Sequence, residues 1–262
     1  MKHPVSIVDA FAEAAFSGNP AAVVPLGAWL PDDVMQSVAA QHNLADTAFT
    51  VPLPDGYGLR WFTPRVEVDL CGHATLAAAH VLFGLSAPAD DTLRFHTRSG
   101  LLTVRREAAD RYTLDFPSDP PVAVPEPPAG LAEALGAAPR EVLRGRFDLV
   151  VRLRDEAEVV ALNPDMGRLA RLETRGVAVT APWGDDGFVS RFFAPACGID
   201  EDPVTGSAHC TLTPYWAREK GLRRFRARQL SPRGGRIDCH LRGDRVLLTG
   251  AARLYLHGEI HL

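Results

Sequence analysis

The sequence predicts an α/β (α+β) fold built from two similar units. Three observations predict it: the 262-residue length, a proline-dense stretch just before the chain midpoint, and a four-step pattern that occurs once in each half. A chain of this size lies near the limit for one hydrophobic core and tends to divide into units of roughly 130 residues. Residues 117 to 128 hold six prolines: Pro117, Pro120, Pro121, Pro125, Pro127 and Pro128. Proline lacks the amide hydrogen and clashes with a preceding helical turn, so neither a helix interior nor a central strand tolerates that density. The stretch reads as a linker. It sets domains at residues 1–118 and 119–262, with the last strands free to return to the first domain.

The four steps run in the same order in both halves. A helix comes first. Pro31-Asp32-Asp33 opens one with Val34, Met35, Val38 and Ala39 on a single face, and Asn163-Pro164-Asp165 opens its counterpart with Met166, Leu169, Ala170 and Leu172. The fixed φ of proline suits the first helical position, and acids in the first turn meet the positive end of the helix dipole. A strand follows, Thr47 to Pro52 in the first half and Val177 to Pro182 in the second. A second strand ends on proline in each: Arg60-Trp61-Phe62-Thr63-Pro64 and Arg191-Phe192-Phe193-Ala194-Pro195. Each half then enters a helix through a small-residue step, Cys71-Gly72-His73-Ala74 and Thr205-Gly206-Ser207-Ala208. The four offsets are 133, 130, 131 and 134 residues, as a duplicated unit requires. The first of these helices is expected to stop at Gly84 and the second at Gly221, with Pro214 kinking the second.

Composition excludes several classes of function. At 46% hydrophobic and 23% charged residues the chain is that of a folded globular protein. No apolar run approaches the ~20 residues that span a bilayer. Asp9 and Glu13 interrupt the region where a signal peptide needs an apolar stretch, so a cytoplasmic location is expected. Cys71, Cys197, Cys210 and Cys239 show no short regular spacing and are read as reduced thiols. Residues 218 to 245 carry a local charge of +7 within a chain of net charge −4. Arginines there alternate with apolar residues, which describes a solvated strand face and not a nucleic-acid surface.

A helix start presents unbonded amides and partial positive charge, and a leading glycine lets an anion approach the backbone closely. Two such starts at equivalent positions are expected to clamp a small carboxylate ligand in a cleft between the domains. Asp46 aligns with Gly176 in the repeat, so the halves share a scaffold and differ in chemistry. Flanked by Leu44, Ala45, Ala48 and Phe49, Asp46 is expected to be poorly solvated, which favours a carboxyl that both gives and takes a proton.

Cys71-Gly72-His73-Ala74-Thr75-Leu76-Ala77 together with Glu201-Asp202-Pro203-Val204-Thr205-Gly206-Ser207-Ala208-His209-Cys210 resembles the paired signature of the phenazine-biosynthesis PhzF-like family. Supporting matches run through Val8 to Phe11, Phe16 to Pro20, Asn43 to Phe49, Pro214 to Trp216 and Arg233 to Arg236, nearly the whole chain. The resemblance implies a fold like diaminopimelate epimerase: two pseudo-symmetric domains, each a mixed sheet curled around a central helix. It implies cofactor-independent isomerisation, a proton shift on a small, cyclic carboxylic acid, and it allows a homodimer. Asp46 takes the place of the catalytic acid, with His73 and Asp202 as further polar residues of the site. Gly72, Gly206 and Ser207 would hold the substrate carboxylate through backbone amides and the Ser207 hydroxyl, and Asn19 would contact substrate. Two departures stand out. Ala45 replaces a common serine, and Asp46 replaces the commoner glutamate, shortening its reach by one methylene.

The same residues admit other chemistries. Cys71 stands where related epimerases place one of two thiol bases, but Thr205 occupies the other position and is far too weak an acid to match it. A zinc hydrolase would use Cys71, His73, His209 and Cys210, although no paired Cys-x-x-Cys or His-x-Glu spacing supports it. A non-catalytic binding module of the same fold is the third alternative.

Overall fold

A computed structural model describes residues 1–86 and 90–262. The chain forms two compact units, Met1–Asp115 with Thr249–Leu262, and Phe116–Leu248.

In the first unit the order is β1 (Lys2–Ala10), β2 (Asn19–Pro25), α1 (Asp32–His42), β3 (Asp46–Leu53), β4 (Gly56–Phe62), β5 (Glu67–Val68), α2 (Gly72–Ser86), β6 (Thr92–Thr97), β7 (Gly100–Ala108) and β8 (Arg111–Pro117). β2 and β3 pair in parallel, β3 and β4 antiparallel, β4 and β6 in parallel, and β6 and β7 antiparallel. The apolar face of α1, Met35, Val38 and Ala39, packs with Val24, Phe49 and Phe62. α2 is buried around its circumference from Gly72 to Ala79 and lies against β1, β2, β3 and β7. Alanines at positions 74 and 77 to 79 let strands approach it closely from several sides, as a helix without a polar stripe requires.

The second unit continues with β9 (Val122–Ala123), α3 (Leu131–Leu135), β10 (Glu141–Arg144), β11 (Leu149–Arg152), α4 (Glu156–Val160), α5 (Met166–Leu169), β12 (Val177–Trp183), β13 (Gly187–Ala194), β14 (Ile199–Asp202), α6 (Gly206–Lys220), β15 (Arg224–Gln229) and β16 (Gly235–Arg242). The final strand, β17 (Arg245–His261), begins in the second unit; its later residues pair with β1 in the first. The pairing scheme repeats that of the first unit: β11 with β12 parallel, β12 with β13 antiparallel, β13 with β15 parallel, β15 with β16 antiparallel. The residues of α6 that take the place of the buried α2 stretch include Ala208, Cys210, Leu212, Tyr215 and Trp216.

Three local expectations are corrected. α2 does not stop at Gly84. It continues to Ser86, because Val81, Leu82 and Phe83 are buried and the ~1 kcal/mol propensity cost of one glycine is small beside that burial. The helix expected from Asp165 to Leu172 is a single turn, α5. Its N-cap is the Asp165 side chain, which accepts from the Arg168 amide at 2.9 Å, and Ala170 is exposed. Beyond it the amides of Arg171 and Leu172 bond three residues back and tighten the chain toward β12. A second short helix, α4, precedes it, capped by Asp155.

The proline-rich stretch is likewise no free linker. The amides of Ser118 and Asp119 donate to the Asp244 and Cys210 carbonyls at 2.8 and 3.1 Å, and Val122–Ala123 form β9 against β10. The bond to Cys210 has a specific cause. In an uninterrupted helix that carbonyl would receive the amide of residue 214, which is proline and has none. Asp119 supplies the missing donor, and α6 continues through Pro214 to its left-handed cap at Gly221, φ 68°.

The basic stretch is a sheet face. Phe225 and Ala227 are buried while Arg224 and Arg226 are exposed, and Arg226 and Arg228 pair with Asp186 and Glu156 at 2.7 and 3.0 Å. Among the described residues no helix is long and apolar enough to cross a membrane.

Candidate functional site

In the first unit three chemistry-bearing side chains converge. α1 ends at Asn43 in the left-handed conformation, φ 51°, and the chain turns at once into β3, whose first residue is Asp46. Parallel pairing sets Asp46 beside Ala21 of β2. Cys71 immediately precedes α2, whose first two residues are Gly72 and His73. The Cys71 thiol donates to Asp46 Oδ2 at 3.2 Å and lies 3.5 Å from His73 Nδ1, while His73 Nε2 is 3.7 Å from Asp46 Oδ2. All three residues are 6% exposed or less. Thr75 Oγ1 donates to the Cys71 carbonyl and ties the thiol-bearing residue to the first turn.

Burial lowers the His73 pKa to about 3, so its imidazole is neutral at physiological pH. A neutral imidazole beside a carboxyl and a thiol can pass or position a proton without adding net charge. Asn19 opens β2 and is fully buried, held opposite Ala10 of β1. The preceding Gly18 has φ +75°, and a Cβ there would meet the Ala10 carbonyl oxygen at 2.4 Å, so this step requires glycine.

The second unit builds its helix start differently. Asp202 ends β14, is 8% exposed, and accepts from Thr205 Oγ1 at 2.5 Å. Gln229 on β15 clamps the turn between them: its Nε2 donates to the Asp202 carbonyl at 2.7 Å, and its Oε1 accepts from the Thr205 amide at 2.8 Å. Thr205 is the N-cap residue of α6, followed by Gly206 and Ser207. The Ser207 hydroxyl oxygen accepts from Arg175 Nη2 at 3.0 Å. Arg175 in turn holds Asp148 through two bonds, Nε to Oδ1 at 2.8 Å and Nη2 to Oδ2 at 2.5 Å. Burial acts against the Arg175 charge, and the paired Asp148 carboxylate outweighs it, so the guanidinium pKa is raised.

The metal-capable group of three that the described residues bring together is Asp46, Cys71 and His73, with donor atoms within 4.8 Å of one another. His209 Nδ1 lies 2.8 Å from the Thr205 carbonyl, and the Cys210 thiol reaches the Gly206 carbonyl, so both serve their own helix. Burial brings His209 down to about 4 and pushes Cys210 up to about 12, which keeps both neutral.

Sequence reasoning did not single out Arg175, Asp148 or Gln229, and it treated Cys71 as a failed thiol base rather than as a partner of Asp46. The repeat contained a usable signal for Arg175. Its alignment sets Arg175-Gly176 against Ala45-Asp46, an acid in one unit and a cation in the other. Gly176 has a steric cause as well: a Cβ there would meet Phe192 Cζ at 2.4 Å.

A family model described as phenazine biosynthesis-like protein, PhzC-PhzF, matches residues 8–258. A Pseudomonas aeruginosa protein named an uncharacterized isomerase is 53% identical over 258 residues, covering 97% of each chain. The crystal structure of a PhzF-family phenazine biosynthesis protein from Enterococcus faecalis is similar with a TM-score of 0.94 at 47% identity, covering 100% of both chains. A predicted epimerase from Pseudomonas aeruginosa shares the fold at 23% identity, TM-score 0.75, over 98% of this chain and 99% of that one.

Proposed function

The chain belongs to the phenazine biosynthesis-like PhzC-PhzF family, and from that membership we propose that it is a cofactor-independent isomerase. It moves a proton by acid/base catalysis on a small, cyclic carboxylic acid. The observation that carries this is the buried contact between Asp46 and the Cys71 thiol, with neutral His73 beside both. The name of the relative at 53% identity, an isomerase, supports the same class.

Asp46 takes a proton from a substrate carbon and returns it at another, which is the work of a single, poorly solvated carboxylate, 6% exposed here. The thiol of Cys71 holds the carboxylate in place between transfers. His73 stays uncharged and orients the substrate by a hydrogen bond. Gly72, Gly206 and Ser207 bind the substrate carboxylate, and Asn19 and Asp202 contact the ring substituents. The family resemblance supports a homodimer.

The test is deuterium uptake from heavy water into cyclic hydroxy acids and amino acids. Wild type is expected to exchange a carbon-bound proton. Asp46→Asn is expected to lose roughly 10²–10⁴-fold of that rate, while ligand affinity stays within about tenfold. Exchange that survives in Asp46→Asn would remove Asp46 from the mechanism. Binding without exchange, in wild type and variant alike, would make the chain a binding module.

A further inference from the structure

We propose that Asp148, Arg175 and Ser207 form a relay that makes the start of α6 selective for a carboxylate, with Arg175 as the positioning residue. The inference rests on the role of Ser207 proposed above and adds two residues to it.

The chemistry of the donors carries it. A guanidinium has no acceptor, so in the 3.0 Å contact between Arg175 Nη2 and Ser207 Oγ the serine oxygen must accept. The serine's own hydrogen is then left to donate elsewhere. Anchoring Oγ in this way turns a freely rotating hydroxyl into an oriented donor beside the α6 amides, and only an acceptor can satisfy it. A carboxylate does so, and the guanidinium behind the hydroxyl strengthens the bond through its charge.

A purely structural ion pair would not need this geometry. Asp148 saturates two N–H groups of Arg175 and its side chain is 4% exposed, whereas the Arg175 side chain is 33% exposed. The pair is therefore open on its cationic side. Among the described residues Arg175 Nη1 makes no hydrogen bond. The rings of Phe147 and Phe192 lie 5.2 and 5.9 Å from the guanidinium carbon and hold its plane. Asp148 takes Nε and one Nη2 hydrogen, Ser207 takes the other Nη2 hydrogen, and the two rings flank the guanidinium.

The repeat sharpens the point. Where the first unit has Ala45-Asp46, which handles a proton, the second has Arg175-Gly176, which presents a donor.

Benzoate and its neutral isostere benzamide serve as probes, titrated into ¹⁵N-labelled full-length protein while the Gly206 and Ser207 amide resonances are followed. Benzoate is expected to shift both amides and benzamide neither. Arg175→Gln is expected to weaken benzoate by roughly tenfold or more and to shrink the benzoate-to-benzamide preference, with Ser207→Ala behaving alike. Arg175→Lys keeps a charge without the fork and is expected to fall between. A merely structural Arg175 would weaken both probes equally and leave their ratio unchanged, which would overturn the relay. So would Ser207→Ala losing benzoate while Arg175→Gln and Arg175→Lys keep it, an outcome that leaves the role of Ser207 standing. Benzoate that shifts neither amide in wild type would remove the carboxylate site itself. Should Arg175→Gln fail to fold, the benzoate-to-benzamide ratio is read in Arg175→Lys and Asp148→Asn, where it is expected to shrink by less, and a ratio equal to wild type in both overturns the relay.

Discussion

The thiol of Cys71 donates to Asp46 Oδ2 at 3.2 Å although 25 residues separate them in the chain. Both residues are 6% exposed, so the bond forms where little water competes with it. A hydrogen bond to a carboxylate favours its charged form. Replacing Cys71 with alanine is therefore expected to move the acidic limb of the rate-pH profile to higher pH. Cys71→Ser, which retains a donor, is expected to keep the limb near its wild-type position. Profiles of isotope exchange for the two variants decide it, and identical limbs would show that the thiol does not act on Asp46.

Acid stability follows from two buried histidines. His73 and His209 have pKa values brought down by burial to about 3 and about 4, against 6.5 for the exposed side chain. Below about pH 6.5 the unfolded chain takes up protons that the folded chain refuses until about pH 3–4. Stability is thus full above that window and is lost as pH falls through it, by about 1.4 kcal/mol per pH unit for each histidine. In urea unfolding between about pH 6.5 and pH 4, His209→Gln is expected to remove one proton's worth of that slope. A slope equal to wild type would mean that His209 is protonated in the folded state.

Gly176 faces the ring of Phe192, which is 4% exposed and lies beside the Arg175 guanidinium, so the ring has little room to retreat. Gly176→Ala is expected to cost about 1–3 kcal/mol by overpacking. Thermal unfolding measures this. An unchanged melting temperature would show that the ring gives way, and that the exclusion of a side chain here has another cause.

Asp119 lies among the prolines, yet its carboxylate accepts from the Arg146 amide at 3.0 Å and from Thr211 Oγ1 at 2.7 Å. Asp119→Ala is expected to destabilise the protein by about 1–3 kcal/mol, since these donors lose their partner. A flexible linker would show no loss in denaturant unfolding.

The helix, strand, strand, helix order within each half was legible because it is written in local patterns. Alternating burial in β15, the apolar face of α1 and the Gly-led starts of α2 and α6 each depend on residues a few positions apart. The misreadings occurred where a local rule met a tertiary alternative. Gly84 could have ended α2, but the burial of Val81 to Phe83 carried the helix onward. Six prolines argued for a linker, but proline forbids only an amide donor, and the amides of Ser118, Asp119 and Val124 still found partners in the second unit.

Two layers of this protein therefore have different origins. The sequence by itself carried the repeated pattern, because hydrophobic period and spacing are properties of neighbouring residues, and its motifs carried the family resemblance that made Asp46, His73, Asp202 and Ser207 candidates. Only the tertiary structure decided that Cys71 bonds Asp46, that Gln229 clamps the turn before α6, and that Arg175 spans Asp148 and Ser207. These partners lie 24 to 32 residues apart on separate elements. Periodicity tells which face of an element is buried; which side chains meet there depends on strand register and helix packing.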